Sequence, residues 1–289
     1  SNPDKDDAES TTERVGKSIA DSGVINYLNK FGQMTSKNHK DHDPVSELFY
    51  SMFRYFRGME NVPEYSDLSG SADSKYQLVD GFPVITEWDD PIQYHCQVNA
   101  ALGIGDIYTH RDKNLPGNVV TTDEPGLPAL VSQDTDIDVL AAIKKIAELE
   151  GRPSIANVPF TGRENSAYIA ALAYIANTTD IRPGNAENEK GRQSLQTYWV
   201  DVRENQHLEP WYRNPYWLAA KYGGFQVPPG FGDPLDRNEP LVKDWWADAD
   251  DMLTSNHHEN ITFPRARNFY VASEADKMVD SLRLAFRNI

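Results

Sequence analysis

Apolar residues recur with helical spacing in several segments of the chain. In the clearest case, Asp43 and Pro44 can cap and start a helix, and Gly58 is typical of a helix end. The apolar positions between them lie three or four residues apart: Val45, Leu48, Phe49, Met52, Phe53 and Phe56. The same type of pattern predicts further helices at residues 23–32, 134–150, 166–176, 216–222 and 273–289.

Mostly apolar runs predict strands at residues 98–107, 195–202 and 268–271, with a short extended segment at 82–86. The first of these runs fits a strand that is buried on both faces, which occurs mainly in parallel sheets. Because strands alternate with helices, we expect an open α/β sheet with long loop insertions. Residues 1–12 have no apolar period and are expected to be a frayed terminus, and residues 60–80 are expected to form a loop.

Charge and composition exclude several classes of function. The 289 residues include 44 acidic and 28 basic side chains, which gives a formal net charge of −16. This surface lacks the basic face that nucleic-acid binding needs, and it disfavours adsorption to anionic lipid. The longest apolar stretch, residues 168–176, is too short to span a bilayer. We therefore expect no nucleic-acid partner and no membrane insertion. Since the sequence opens at Ser1 without a Met, we expect a fragment of a longer protein.

The single cysteine, Cys96, has no partner for a disulfide within this chain. Its neighbour His95 indicates little about spatial geometry, so we expect an inert buried thiol rather than a nucleophile. Neither a nucleophile elbow of the form G-x-S-x-G nor a nucleotide-binding glycine fingerprint is present in the sequence. These observations argue against an enzyme.

Asp106 is the most informative carboxylate, because it ends a predicted strand and ligands of open α/β sheets gather at the carboxyl ends of strands. His110 and Asp112 follow closely and could add metal ligands. A divalent-metal hydrolase that uses these three residues is one alternative. The structural alternative for Asp106 is a carboxylate that caps the next turn through its own backbone.

Other acidic and histidine motifs have simpler interpretations. Residues 67–71 spell D-x-S-x-S, the string of a metal-ion-dependent adhesion site, through Asp67, Ser69 and Ser71. An apolar strand should precede that string, and none does, so we interpret it as a chance match. A group of four aspartates is interpreted as a solvated acidic loop: Asp244, Asp248, Asp250 and Asp251. The histidines of two short motifs are interpreted as surface residues: His39 and His42, and His257 and His258 with Glu259.

Several separated segments match one known family in the same order along the chain: residues 22–32, 43–50, 81–86, 104–106, 112–117, 198–201, 216–225 and 269–273. Through these segments the chain resembles the PilC/PilY family of type IV pilus tip adhesins and biogenesis proteins. The resemblance implies a von Willebrand factor A-like domain, with a doubly wound and mostly parallel sheet flanked by helices. It would occupy residues 22–289, lack its first strand and follow a polar segment at residues 1–21.

The resemblance also implies a function. Such proteins are exported by Gram-negative bacteria to the extracellular pilus tip, where they support pilus biogenesis, attachment and twitching motility. The expected partners are minor pilins and a host or abiotic surface. Ca²⁺ or Mg²⁺ would bind at Asp106, which matches the strand-end ligand of the family, with Asp112 and Asp43 as weaker candidates. A structural spacer that binds no metal is the remaining alternative.

Overall fold

The computed structural model describes residues 5–19, 42–161, 164–183, 191–272 and 275–288. The helix expected at residues 23–32 lies outside these ranges. The chain divides into two compact units, Ser1–Asp41 with Met59–Asp89 and His42–Gly58 with Asp90–Ile289. The single domain expected at residues 22–289 stays a prediction.

Groups of helices precede β1 and separate it from β2, and the last three strands follow one another before the final helix. The helices are α1 Lys5–Val15, α2 Val45–Phe56, α3 Ala72–Val79, α4 Ala129–Ser132, α5 Val139–Leu149, α6 Tyr168–Thr178, α7 Pro215–Gly224, α8 Lys243–Trp246 and α9 Ala275–Asn288. The strands are β1 Asn99–Gly105, β2 Leu195–Asp201, β3 Ala247–Thr254, β4 Thr262–Ala266 and β5 Phe269–Val271. Short 3₁₀ turns lie at Pro63–Ser66, Pro153–Ala156, Glu204–Gln206, Trp211–Arg213 and Pro234–Asp236. No helix among the described residues is long and apolar enough to cross a bilayer.

The smaller unit contains two helices that the sequence did not predict. Residues 5–15 form α1 rather than a frayed end, and residues 72–79 form α3 rather than a loop. Their apolar side chains are few, and Val15 and Ile19 are buried with Val79, which is distant in sequence. A search for periodic apolar residues misses such helices because the tertiary contacts, rather than a long local stripe, bury their few apolar side chains.

A three-stranded parallel sheet in the order β1-β2-β5 forms the centre of the larger unit. On one face α6 and α7 lie close together and close to β2. A methyl group at Gly223 of α7 would be only 2.7 Å from Ala173 Cβ of α6 and from Thr197 Oγ1 of β2, so this position needs glycine. On the other face Tyr198 and Val200 pack with Ala285 of α9. The expectation of an α/β fold with a parallel sheet flanked by helices is confirmed.

Some faces of these elements differ from the prediction. In the sheet that the described residues form, β1 is an edge strand, and its faces are only partly buried, since Ile104 is 48% exposed. On α9, Ala285 is buried, but Val279 and Phe286 of the expected apolar stripe are exposed. Residues 82–86 form no strand. By contrast, α6 is buried at every position, as its apolar sequence indicates.

The acidic run near residue 250 is a strand rather than a solvated loop. It forms β3, which pairs with β4 in an antiparallel hairpin. Asp248 and Asp251 form ion pairs with Arg267 and Arg265, respectively. Aspartate is depleted in strands, so the sequence favoured a loop, and this prediction was wrong at a place where arginines pair with two of the aspartates.

Candidate functional site

The carboxyl ends of β1 and β2 bring two aspartates to the same edge of the sheet. Asp201 is the last residue of β2 and is paired in register with Gly105, which Asp106 follows. Asp106 Oδ1 accepts a hydrogen bond of 3.0 Å from the backbone N–H of Tyr108, so the carboxylate does cap its own turn. Both features of Asp106, the strand-end position and the turn cap, are therefore present together.

Asp201 is buried and held on both oxygens. Its Oδ1 accepts a 2.8 Å hydrogen bond from the N–H of Arg203, and its Oδ2 accepts a 2.9 Å hydrogen bond from Asn214 Nδ2. Asn214 also caps α7, since its Oδ1 accepts from the N–H groups of Tyr216 and Trp217. Burial, with a smaller contribution from the charge of Asp106, raises the pKa of Asp201 to about 6.

Asp112 is buried and has three hydrogen-bond donors. Its Oδ2 accepts from the hydroxyl groups of Ser46 at 2.8 Å and Thr109 at 3.3 Å. Its Oδ1 accepts from the backbone N–H of Ser166 at 2.8 Å. Burial nevertheless dominates and raises the pKa of Asp112 to about 6. The side chain therefore braces α2 and the start of α6 against the loop that follows β1.

Asp43 does not cap α2, in contrast to the prediction. Pro44 occupies the N-cap position, and no side chain bonds to the first helical N–H groups. The Asp43 carboxylate instead lies 2.6 Å from His110 Nδ1, with both side chains partly exposed. Asp43 thus pairs with His110, which is 67 residues away, instead of capping α2, and a local sequence pattern cannot indicate such a distant partner.

Tyr216 connects these carboxylates. Its ring stacks on Trp199 of β2 with a centroid distance of 3.9 Å, and its buried hydroxyl has no hydrogen-bond partner among the residues that the structure describes. Burial raises the pKa of Tyr216, and the nearby charges of Asp112, Asp106, Asp43 and Asp201 raise it further. A buried hydroxyl usually has a partner, so this atom indicates a place for a water molecule or a ligand. We call Tyr216 and these four aspartates the acidic edge.

The acidic edge offers the hard oxygen ligands that Ca²⁺ and Mg²⁺ prefer. Its carboxylates do not converge closely, however. Among the described residues, the group that brings three Cys, His, Asp or Glu ligand atoms within 4.8 Å of one another is Glu209, His257 and His258. A cation beside Asp106 would therefore need hydroxyl groups, water molecules or a partner's carboxylate to complete its coordination.

The remaining candidates lie elsewhere. In the D-x-S-x-S string, Asp67 and Ser69 are exposed, and Ser71 caps α3 by accepting a hydrogen bond from the N–H of Ser74. This string belongs to the smaller unit and has the role of a helix start. Cys96 is exposed rather than buried, because it lies in the surface turn that precedes β1.

Asp201, Asn214, Tyr216 and Glu209 were missed in the sequence. For Asp201 a signal existed, because it ends a predicted strand as Asp106 does. For Tyr216 and Glu209 no local signal existed, since their environment depends on residues far away in the chain.

Comparison with known proteins gives one strong relationship. Over an alignment 302 positions long, the chain is 50% identical to a type IV pilus biogenesis factor PilY1 homolog of Xylella fastidiosa strain Temecula1. The alignment covers 100% of this chain and 24% of that relative, so the chain spans about a quarter of the relative's length. No family model matches the sequence, and no solved structure matches it.

Proposed function

The chain belongs to the PilC/PilY family, and from this premise we propose that it is a non-enzymatic module for type IV pilus assembly and adhesion. The observation that carries the proposal is the 50% identity along the whole chain to a pilus biogenesis factor. The module would act outside the cell at the pilus tip. Its partners would be minor pilins and a host or abiotic surface, and its loss would impair twitching motility.

We assign the larger unit to the von Willebrand factor A-like class. The parallel order β1-β2-β5 with helices on both faces supports this assignment. So does the concentration of carboxylates at the carboxyl ends of the strands, where this class of open sheet places its ligands.

The acidic edge would be the docking surface for a partner, assisted by Ca²⁺ or Mg²⁺ at Asp106. Asp106 is partly exposed, whereas Asp112 and Asp201 are buried and already accept hydrogen bonds on both oxygens. Asp43 is also partly exposed, but its carboxylate pairs with His110. Asp106 is therefore the carboxylate of the acidic edge that we assign to a cation shared with a partner. The buried pair would fix its position and contribute negative charge behind it.

The alternative of a metal-dependent hydrolase has little geometric support. Asp112 is 1% exposed and binds Ser46, Thr109 and Ser166, so it is not accessible to a substrate. His110 pairs with Asp43 rather than with Asp106. The three residues of the proposed catalytic group therefore serve three separate contacts.

Binding of purified minor pilins to the 289-residue chain, in calcium and in chelator, tests this function. We expect saturable binding that calcium strengthens, and Asp106→Ala should abolish the calcium effect. Asp250→Ala, on the exposed side of β3, is the matched control for loss of one carboxylate and should behave as the unchanged chain. Absence of pilin binding would contradict the docking role. A calcium effect that persists in Asp106→Ala would contradict the assignment of the cation.

A further inference from the structure

Glu209, His257 and His258 come together from two segments that are about fifty residues apart. Glu209 precedes the 3₁₀ turn Trp211–Arg213, and the two histidines lie in the connection between β3 and β4. We propose that these three side chains form a binding site for a zinc-type transition-metal ion, which we call the histidine site. This site is separate from the acidic edge in its residues and in its ligand chemistry.

The distances suit a small tetrahedral centre. His257 Nδ1 lies 2.5 Å and His258 Nε2 lies 3.4 Å from Glu209 Oε1, and all three ligand atoms lie within 4.8 Å of one another. Zinc bonds of about 2.0–2.1 Å place neighbouring ligand atoms about 3.3 Å apart in a tetrahedron. The His258 distance already matches this value, and the His257 contact would have to open by less than about 1 Å.

Glu209 is oriented before any metal binds. Its side chain is fully buried, and its Oε1 accepts a 2.9 Å hydrogen bond from the Tyr108 hydroxyl. Arg213 Nε lies 3.4 Å from Oε2, so the guanidinium compensates the charge on that oxygen. Oε1 therefore faces the histidines as the ligand atom. Hydrogen bonds of this kind to a ligand carboxylate typically tune metal affinity.

A third histidine supports the ring of His257. The ring of His207 stacks on His257 with a centroid distance of 4.1 Å and an interplanar angle of 8°. The stack holds the His257 ring in one plane beside Glu209, which limits the rotamer freedom that would be lost on metal binding. A neutral imidazole leaves one ring nitrogen free for a metal ion.

The backbone around the histidine site is fixed by Asn256. Its Oδ1 accepts a 2.7 Å hydrogen bond from the N–H of Leu208, and its Nδ2 donates a 3.0 Å hydrogen bond to the carbonyl of Gln206. Its own N–H donates to the carbonyl of Leu208 at 3.1 Å. These bonds hold the segment that carries Glu209 against the turn that carries the histidines. Such preorganisation lowers the entropy cost of metal binding.

The donor set indicates which ions bind. Two imidazole nitrogens and one carboxylate oxygen suit Zn²⁺ and related transition metals, whereas Ca²⁺ and Mg²⁺ prefer oxygen ligands alone. Three protein ligands leave one tetrahedral position open for water or for a group of a partner. The site is therefore expected to bind zinc in the presence of excess calcium.

Zinc titration of the purified 289-residue chain by calorimetry tests the proposal, with Cys96→Ser as the background. That substitution removes the exposed thiol next to His95, which could bind zinc by itself. We expect one saturable zinc ion per chain and a rise in melting temperature. His258→Ala removes an exposed ligand and should weaken zinc binding about tenfold or more, because even the loss of a residue that only supports a ligand typically costs about 10–100-fold in metal affinity. Glu209→Gln should weaken it also.

His42→Ala is the matched control, because His42 is another exposed histidine, with its ring centroid 6.1 Å from that of His110. It should leave zinc affinity unchanged. Co²⁺ in place of zinc should give the visible absorption of a tetrahedral site, and His258→Ala should remove that absorption. The proposal is overturned if no saturable zinc binding occurs, if His258→Ala binds as tightly as the background, or if the loss follows His42→Ala.

Discussion

Replacement of Asp112 by asparagine should change how stability depends on pH. In the folded chain, burial raises the pKa of Asp112 from 3.8 to about 6. Well below pH 3.8 the Asp112 carboxyl group is protonated in both the folded and the unfolded state. The folded chain then carries no buried charge at Asp112, and the free energy of unfolding is not reduced by it. As the pH rises towards 6, the unfolded state loses this proton more readily, so the free energy of unfolding falls.

The magnitude follows from the two pKa values. At about 1.4 kcal/mol per pH unit, the interval between 3.8 and about 6 corresponds to a loss of about 3 kcal/mol. The asparagine side chain of Asp112→Asn cannot ionise, so the variant lacks this loss. Its amide oxygen can still accept from the N–H of Ser166, while its NH₂ group can donate to the Ser46 hydroxyl. Loss of the charge also lowers the pKa of Glu47, which Asp112 raises, and this change acts in the same direction.

Urea unfolding at pH 4, 5, 6 and 7 measures the effect. The stability of Asp112→Asn relative to the unchanged chain should improve by about 2 kcal/mol between pH 4 and pH 7, because part of the loss has already occurred at pH 4. Asp250→Asn removes a carboxylate from the exposed side of β3 and should show no such trend. A flat or declining difference for Asp112→Asn would refute the argument that burial dominates over the three hydrogen bonds.

Two further substitutions test the packing that positions the acidic edge. A methyl group at Gly103 would lie 1.9 Å from a ring carbon of Trp199, so Gly103→Ala should destabilise the chain by about 1–3 kcal/mol in urea unfolding. The matched change Gly105→Ala, where the same ring is 3.7 Å away, should cost clearly less, and equal costs would contradict this packing. Asn214→Ala removes the cap of α7 and a hydrogen-bond donor to Asp201. It should lower the free energy of unfolding by about 1–2 kcal/mol, which thermal unfolding detects as a lower melting temperature. An unchanged melting temperature would contradict the capping role.

The core of the larger unit could be predicted from the sequence because its elements have strong local patterns. The β1 and β2 strands are mostly apolar, and α6 is buried at every position, so each was found from the sequence alone. Elements with few apolar residues were missed. In the acidic β3, Asp251 and Asp248 pair with Arg265 and Arg267, and a search for apolar patterns does not detect such pairs.

In the candidate sites, too, residues with a local sequence signal could be predicted and residues that depend on distant partners could not. Asp106 was found because a strand end is visible in sequence, and Asp201 could have been found by the same argument. The partnerless hydroxyl of Tyr216 depends on its stacking against Trp199, and the histidine site depends on Glu209 lying about fifty residues before His257. Such constellations are created by tertiary structure, so they become visible only in three dimensions.

The proposed role in type IV pilus assembly is tested by the amount of pilin that can be sheared from the surface of cells. These cells express the protein with an in-frame deletion of residues 42–289. We expect a severe loss of surface pilin, with the shortened protein still exported at its normal level. Surface pilin at the level of the unaltered strain, with that shortened protein present, would refute the role in assembly.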